Sequence, residues 1–252
     1  MRRALAWYLP LLAAIVAAVT FGYGFVSFVR GDTGSTADFL PAPRATSATQ
    51  ASVIVPLVMG DSLARGAGDE TGLGIGGRLT DELRRRRIAS RPSVNVAVNG
   101  AKTADLLRQL DSRNVRTLIA QSNAIIISIG GNDLWGGTDW RRSAPADPDA
   151  AMTAVLDRID QILKIVRQSN PKARIFLIGL YNPFAATPGG PMLTALVNRW
   201  NGRLLERFGS DPNFTLVATA DLFSHRERLS LDHFHPGGEG YGLIAGRIAE
   251  SL

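Results

Sequence analysis

The sequence predicts an α/β protein, a flavodoxin-like three-layer α/β/α sandwich on a five-stranded parallel sheet, preceded by one N-terminal transmembrane helix. Three observations carry this. Short apolar, β-branched runs alternate with segments of helical period after residue 52. Several of these runs stop at Gly, Asn or Asp, which belong to turns at strand ends. Ala4 to Val29 contains no charged residue.

As a helix, Ala4 to Val29 is about 39 Å long, against a hydrocarbon core of about 30 Å. Pro10 shortens the spanning part to Leu11–Val29, still roughly 28 Å. Trp7 and Tyr8 at one end, and Tyr23 and Phe28 at the other, suit the two membrane interfaces. The run exceeds the ~7–15 apolar residues of a cleaved signal peptide, and no Ala-x-Ala follows it directly. Residues 1–30 are therefore expected to be an uncleaved signal anchor, and the protein would be secreted if they were cut. Arg2, Arg3 and the amino terminus outweigh Arg30, which puts the N-terminus inside and the following domain on the extracytoplasmic side of the cell membrane. Residues 31–51 turn to Gly, Ser, Thr, Ala and Pro and are expected to form a flexible linker.

Residues 52–252 are long enough for one domain with a sizeable core. Its first strand is 53–59, an apolar run ending at Gly60-Asp61-Ser62-Leu63. A Gly-rich loop, 66–77, leads to a helix near 76–88. Val94–Val98 is the second strand. Thr103 to Gln121 has helical period, with a break near Ser112-Arg113-Asn114. Ala124–Ile129 is the third strand and 150–168 a helix. Arg174–Leu180 is the fourth strand, 191–208 a helix, Phe214–Ala218 the fifth strand and Glu239–Glu250 the last helix. No internal repeat is visible.

The net charge is +6 and the pI about 10.3. Nucleic acid is not the partner this implies. The run Arg84-Arg85-Arg86-Arg87 closes a helix, where cations meet the negative dipole end, and no aromatic-interleaved basic stripe is present. A solvated helix face near an anionic membrane surface accounts for the charge. The chain has no cysteine, which excludes disulfides, thiolate metal sites and cysteine nucleophiles. Gly66-Ala67-Gly68 and Gly72-x-Gly74-x-Gly76 lack the spacing of a dinucleotide loop.

Polar turn residues recur at the carboxyl ends of the strands, which share one edge of a parallel sheet. They are Gly60-Asp61-Ser62, Asn99-Gly100, Gly130-Gly131-Asn132-Asp133 and, near the C-terminus, Asp232-His233-Phe234-His235-Pro236. A serine nucleophile needs a base. Two of the three histidines lie in the last cluster. Asp232, three residues before His235, can fold back onto its Nδ1–H and leave Nε2 for Ser62. His233 is read as a packing or loop-bonding residue and His225 as a surface or cap residue. The Ser62 N–H, Gly100 N–H and Asn132 side-chain amide are the candidate oxyanion donors. Asp61 and Asp133 are read as turn or cap residues.

Gly60-Asp61-Ser62-Leu63, Gly100, Gly130-x-Asn132-Asp133 and Asp232-x-x-His235-Pro236 resemble, in order and spacing, four blocks of the GDSL/SGNH hydrolase superfamily, over about Val53 to Leu252. The stretch from Gly60 to Asp69 and the anchored topology resemble its YpmR-like bacterial subgroup. The resemblance implies a serine esterase, lipase or acylhydrolase with nucleophile Ser62, base His235 and supporting Asp232. It also implies oxyanion donors Ser62, Gly100 and Asn132, and neither a metal nor an organic cofactor. Small acyl esters, lipids or acetylated glycans would be the substrates.

Three other readings compete. An α/β-hydrolase would carry Gly-x-Ser-x-Gly, but position 64 is Ala. A metal-dependent phosphoesterase would use Asp61, Asn132, Asp133, Asp232, His233 and His235 as ligands. It would also want an early Asp-x-His and more histidines. A non-catalytic envelope-binding module would stack Trp135 and Trp140 on sugars; the same pair would serve as a flap over an acyl pocket. Tyr181-Asn182-Pro183-Phe184 is placed to shape the pocket.

Overall fold

The computed structural model describes residues 14–23, 26, 53–136, 145–224 and 226–252. The chain divides into two units, Met1–Thr49 and Gln50–Leu252. In the first, residues 14–23 are helical. Among the described residues no helix is long and apolar enough to cross a membrane. Most of the expected 4–29 span, and all of the 31–51 linker, lie outside the described residues, as do Trp140 and His225.

The second unit is built on a five-stranded, all-parallel sheet in the order β2-β1-β3-β4-β5. Its strands are β1 (Pro56–Gly60), β2 (Val94–Asn95), β3 (Ala124–Ser128), β4 (Arg174–Ile178) and β5 (Phe214–Val217). The helices are α1 (Ser62–Arg65), α2 (Gly74–Arg85), α3 (Thr103–Gln109), α4 (Arg113–Gln121), α5 (Gly131–Trp135), α6 (Pro148–Ser169), α7 (Gly190–Phe208) and α8 (Gly238–Glu250). This is the flavodoxin-like strand order, whose direction of winding reverses between β1 and β3.

Alternation along the strands feeds two cores. Leu57, Met59, Ile125, Ile127, Ile175 and Leu177 face α3, α4, α6 and α7. Val58, Ile126, Phe176 and Ile178 face α2 and α8. Strands covered on both sides become continuous apolar runs, and β1 and β3 are buried at every position.

All five strands are shorter than expected, and for the first two the side chains that divert the backbone are plain. β1 starts at Pro56 because the Asn123 side chain takes up the preceding backbone: it accepts from Val55 N–H and donates to Val53 O, each at 2.8 Å. β2 is an edge strand that keeps only Val94 and Asn95 in the ladder, against Leu57 and Val58. Asn95 diverts the chain there, accepting from Ala97 N–H and donating to Ala64 O. Val96 and Val98 still donate to the Val58 and Gly60 carbonyls. The arginine run ends α2 at Arg85. Arg84 pairs with Asp81, and Arg85 and Arg86 pair with Glu82, which makes it a solvated, internally paired face.

Candidate active site

The site lies where β1 and β3 end, at the reversal of winding. Gly60 opens the turn at φ +124, and a Cβ there would overlap the Ser128 carbonyl of the adjoining strand. Only glycine lets β1 turn this closely against β3. Asp61 then caps α1, its Oδ1 accepting from Leu63 N–H at 3.1 Å and from Ser128 Oγ at 2.8 Å. Gly66, at φ +94, ends that helix after a single turn. Ser62 is thereby fixed at a helix N-terminus on the mouth of the sheet. Asp61 is 6% exposed. Burial pushes its carboxyl up to about 6, against the hydrogen bonds from Ser128, Ala64 and Leu63 and the nearby His235.

The partner of Ser62 comes from the other end of the chain. Asp232 folds its own loop: Oδ1 accepts from Ser230 Oγ at 2.6 Å and from the N–H groups of Phe234 and His235 at 2.8 and 2.9 Å. His233 turns the chain at φ +55. Asp232 Oδ2 is 2.6 Å from His235 Nδ1, and His235 Nε2 is 2.8 Å from Ser62 Oγ. Burial alone would raise the Asp232 carboxyl. The bonds from Ser230, His235 and the backbone outweigh it and hold the group well below the usual carboxylate range. Asp232 is a fixed anion at the pH where an imidazole works.

Asn132 sits in the first turn of α5 on the wall of the same cleft. Its Nδ2 donates to Ala101 O at 3.0 Å, which fixes the amide plane. Asp133 anchors this turn. Its carboxylate accepts from Thr103 N–H and Thr103 Oγ at 2.9 and 2.6 Å and lies 3.3 Å from Arg158. Gly100 adopts φ +75, next in the chain to the Ala101 that holds Asn132. With Val98 and Asn99 it lines a hollow of its own.

The chain after β1 also braces the histidine loop, a role no motif announced. Tyr241 Oη donates to Ala67 O at 2.6 Å, and Glu70 accepts from Gly238 N–H at 2.9 Å. The Asp69 side chain, fully buried, accepts from Thr71, Gly74 N–H and Arg78. These bonds hold its carboxyl at about 2 in spite of burial. The signal was the string of small residues at 66–68, which lets two loops approach closely. Among the described residues no group of three or more His, Asp or Glu side chains is arranged to hold a metal ion.

The profile of the GDSL-like Lipase/Acylhydrolase family matches residues 58–243. The chain belongs to that family. It is an ester hydrolase of the GDSL type, as the order of its four motifs led us to expect. It is similar to the protein YpmR of Bacillus subtilis, with 30% identity over 207 residues covering 79% of this chain and 81% of YpmR. The spore germination lipase LipC of Bacillus licheniformis is 24% identical over 202 residues, covering 75% of this chain and 92% of LipC. Among solved structures, the lipase Lip_vut3 from a goat rumen metagenome superposes with a TM-score of 0.66 at 22% identity, covering 79% of this chain and 97% of that one. This GDSL hydrolase therefore shares its sheet and helical layers with an enzyme of distant sequence.

Proposed function

We propose that Ser62 cleaves carboxylic esters through an acyl-enzyme, with His235 as general base and acid and Asp232 holding the imidazole. The observation that carries this is the unbroken chain of contacts from Asp232 Oδ2 through His235 to Ser62 Oγ, at 2.6 and 2.8 Å. Nδ1–H donates to the carboxylate, so Nε2 carries the free lone pair. As Oγ attacks the carbonyl carbon, Nε2 takes its proton, and Asp232 stabilises the imidazolium. The tetrahedral oxyanion is received by the Ser62 N–H and by the Asn132 amide. Of the amide's two hydrogens, one serves Ala101 and the other is left for the oxyanion. The Gly100 N–H is proposed as a third donor. The tetrahedral intermediate collapses, and His235 protonates the departing alcohol. Water, deprotonated by His235, then releases the acid and restores Ser62.

The proposed substrates are small acyl esters, lipids or acetylated glycans of the cell envelope. We further propose that the apolar stretch 4–29, flanked by Arg2 and Arg3, anchors the chain once in the cell membrane with residues 52–252 on the extracytoplasmic side. The test of function is a panel of acyl esters and acetylated glycans offered to the full-length protein beside Ser62→Ala. Hydrolysis that disappears in Ser62→Ala supports the reading, and turnover that survives in the variant overturns it.

A further inference from the structure

The cleft at Ser62 is chemically two-ended. Its polar lining, Asp61, Ser62, Ser128, Asn132 and His235, is the reacting end already described. Most of the remaining wall is hydrocarbon or aromatic. The polar side chains bordering that wall are already engaged. Tyr181 Oη donates to Phe234 O at 2.7 Å, and Asn182 is tied to Gly190, Thr194 and Phe184. Leu193 and Val197, buried and one turn apart on α7, stand on the same face of the helix.

Resting on the acyl-enzyme reading above, we propose that this apolar end, walled by Leu180, Leu193 and Val197, holds the acyl chain. The substrates are then esters of short, unbranched fatty acids, of up to about four carbons, with Val197 limiting chain length. The alcohol half has to leave past His235, whose loop is exposed at Leu231, Asp232 and His233. The enclosed end is left for the acyl half. The whole cleft, its polar reacting end included, has a volume of about 80 Å³. That is about half of the ~150 Å³ apolar cavity that accepts benzene, so beyond the carbonyl it takes at most roughly three carbons. A sugar placed there would bury hydroxyls with no free partner, which is strongly unfavourable. Each methylene seated in the cavity raises kcat/KM about fourfold, or about fifteenfold from acetyl to butyryl.

The test is a series of p-nitrophenyl esters from acetate to dodecanoate, with acetylated xylan as the glycan probe. The full-length protein is assayed beside Val197→Ala and Val197→Phe. The proposal predicts a maximum at about four carbons and little release from xylan. Val197→Ala should move the maximum toward longer chains. Val197→Phe should cut butyrate turnover at least tenfold relative to acetate turnover, and its far-UV spectrum reports that it folds. If Val197→Phe does not fold, the direction of shift in Val197→Ala decides. A flat series, a preference for acetate or acetylated xylan, or a maximum that ignores Val197→Ala would overturn the assignment while leaving the hydrolase reading intact. Absence of turnover on every ester would overturn the hydrolase reading and this assignment with it.

Discussion

Gly68 and His235 are in direct backbone-to-side-chain apposition. A Cβ on Gly68 would stand 2.8 Å from the His235 Cβ and 2.7 Å from the Pro236 carbonyl oxygen. At φ +90, the position also suits glycine alone. The segment that follows Ser62 is thus the seat of His235. Gly68→Ala should displace the imidazole, and a misplacement of about 1 Å costs on the order of 10²-fold in kcat. Steady-state kinetics should show that loss in kcat. The far-UV spectrum should remain that of the wild type.

Asp232 and His235 should behave as one unit. Asp232→Asn keeps the shape of the loop but removes the anion that selects the Nδ1–H tautomer. Its kcat should fall by about 10⁴-fold, as should that of His235→Ala. The double variant should be little worse than either single one. Additive losses in the cycle would show that the two residues act separately.

On the proposed mechanism, Asn132→Ala removes a donor that acts only once the oxyanion forms. We expect kcat to fall by about 10²–10³-fold with KM almost unchanged. A rise in KM with kcat preserved would place Asn132 in substrate binding instead.

Asp61 gives a pH prediction of definite sign. Its folded-state carboxyl ionises near 6, against 3.8 ordinarily. Between these values the folded chain holds a proton that the unfolded chain has lost, so this contribution to stability is lost as pH rises through about 6. It amounts to about 3 kcal/mol. Asp61→Asn cannot titrate. Its stability relative to wild type should therefore improve by about that amount from pH 4 to pH 7.5, read from urea midpoints. The contributions of Asp69 and Asp232 run the other way, since their carboxyls are depressed, but they are common to both proteins and cancel in the comparison.

What could be read in advance followed from periodicity and turn chemistry. β1, β3 and β4 are uninterrupted apolar runs, and the sheet's parallel arrangement follows from their alternation with helices. Ser62, Asp232 and His235 were legible because each falls where a parallel sheet opens. The one-turn helices α1 and α5 were not, because four or five residues cannot display a helical period. Their existence depends on Asp61, Gly66 and Gly130 holding the ends. Asp61 read correctly as a cap, whereas Asp133 stands inside α5 and reaches across to the start of α3; their partners Ser128, Thr103 and Arg158 are supplied by distant parts of the chain. The brace of Glu70 and Tyr241 on the loops flanking the site was invisible for the same reason.

The central claim is that one serine hydroxyl, activated across the molecule by His235, is the nucleophile. Intact-mass analysis of the full-length protein after treatment with a serine-directed alkylphosphonate, followed by peptide mapping, tests it most directly. A single adduct on Ser62 is expected in the wild type, formed far more slowly in His235→Ala. An unmodified protein, an adduct on another residue, or equal labelling without His235 would contradict it.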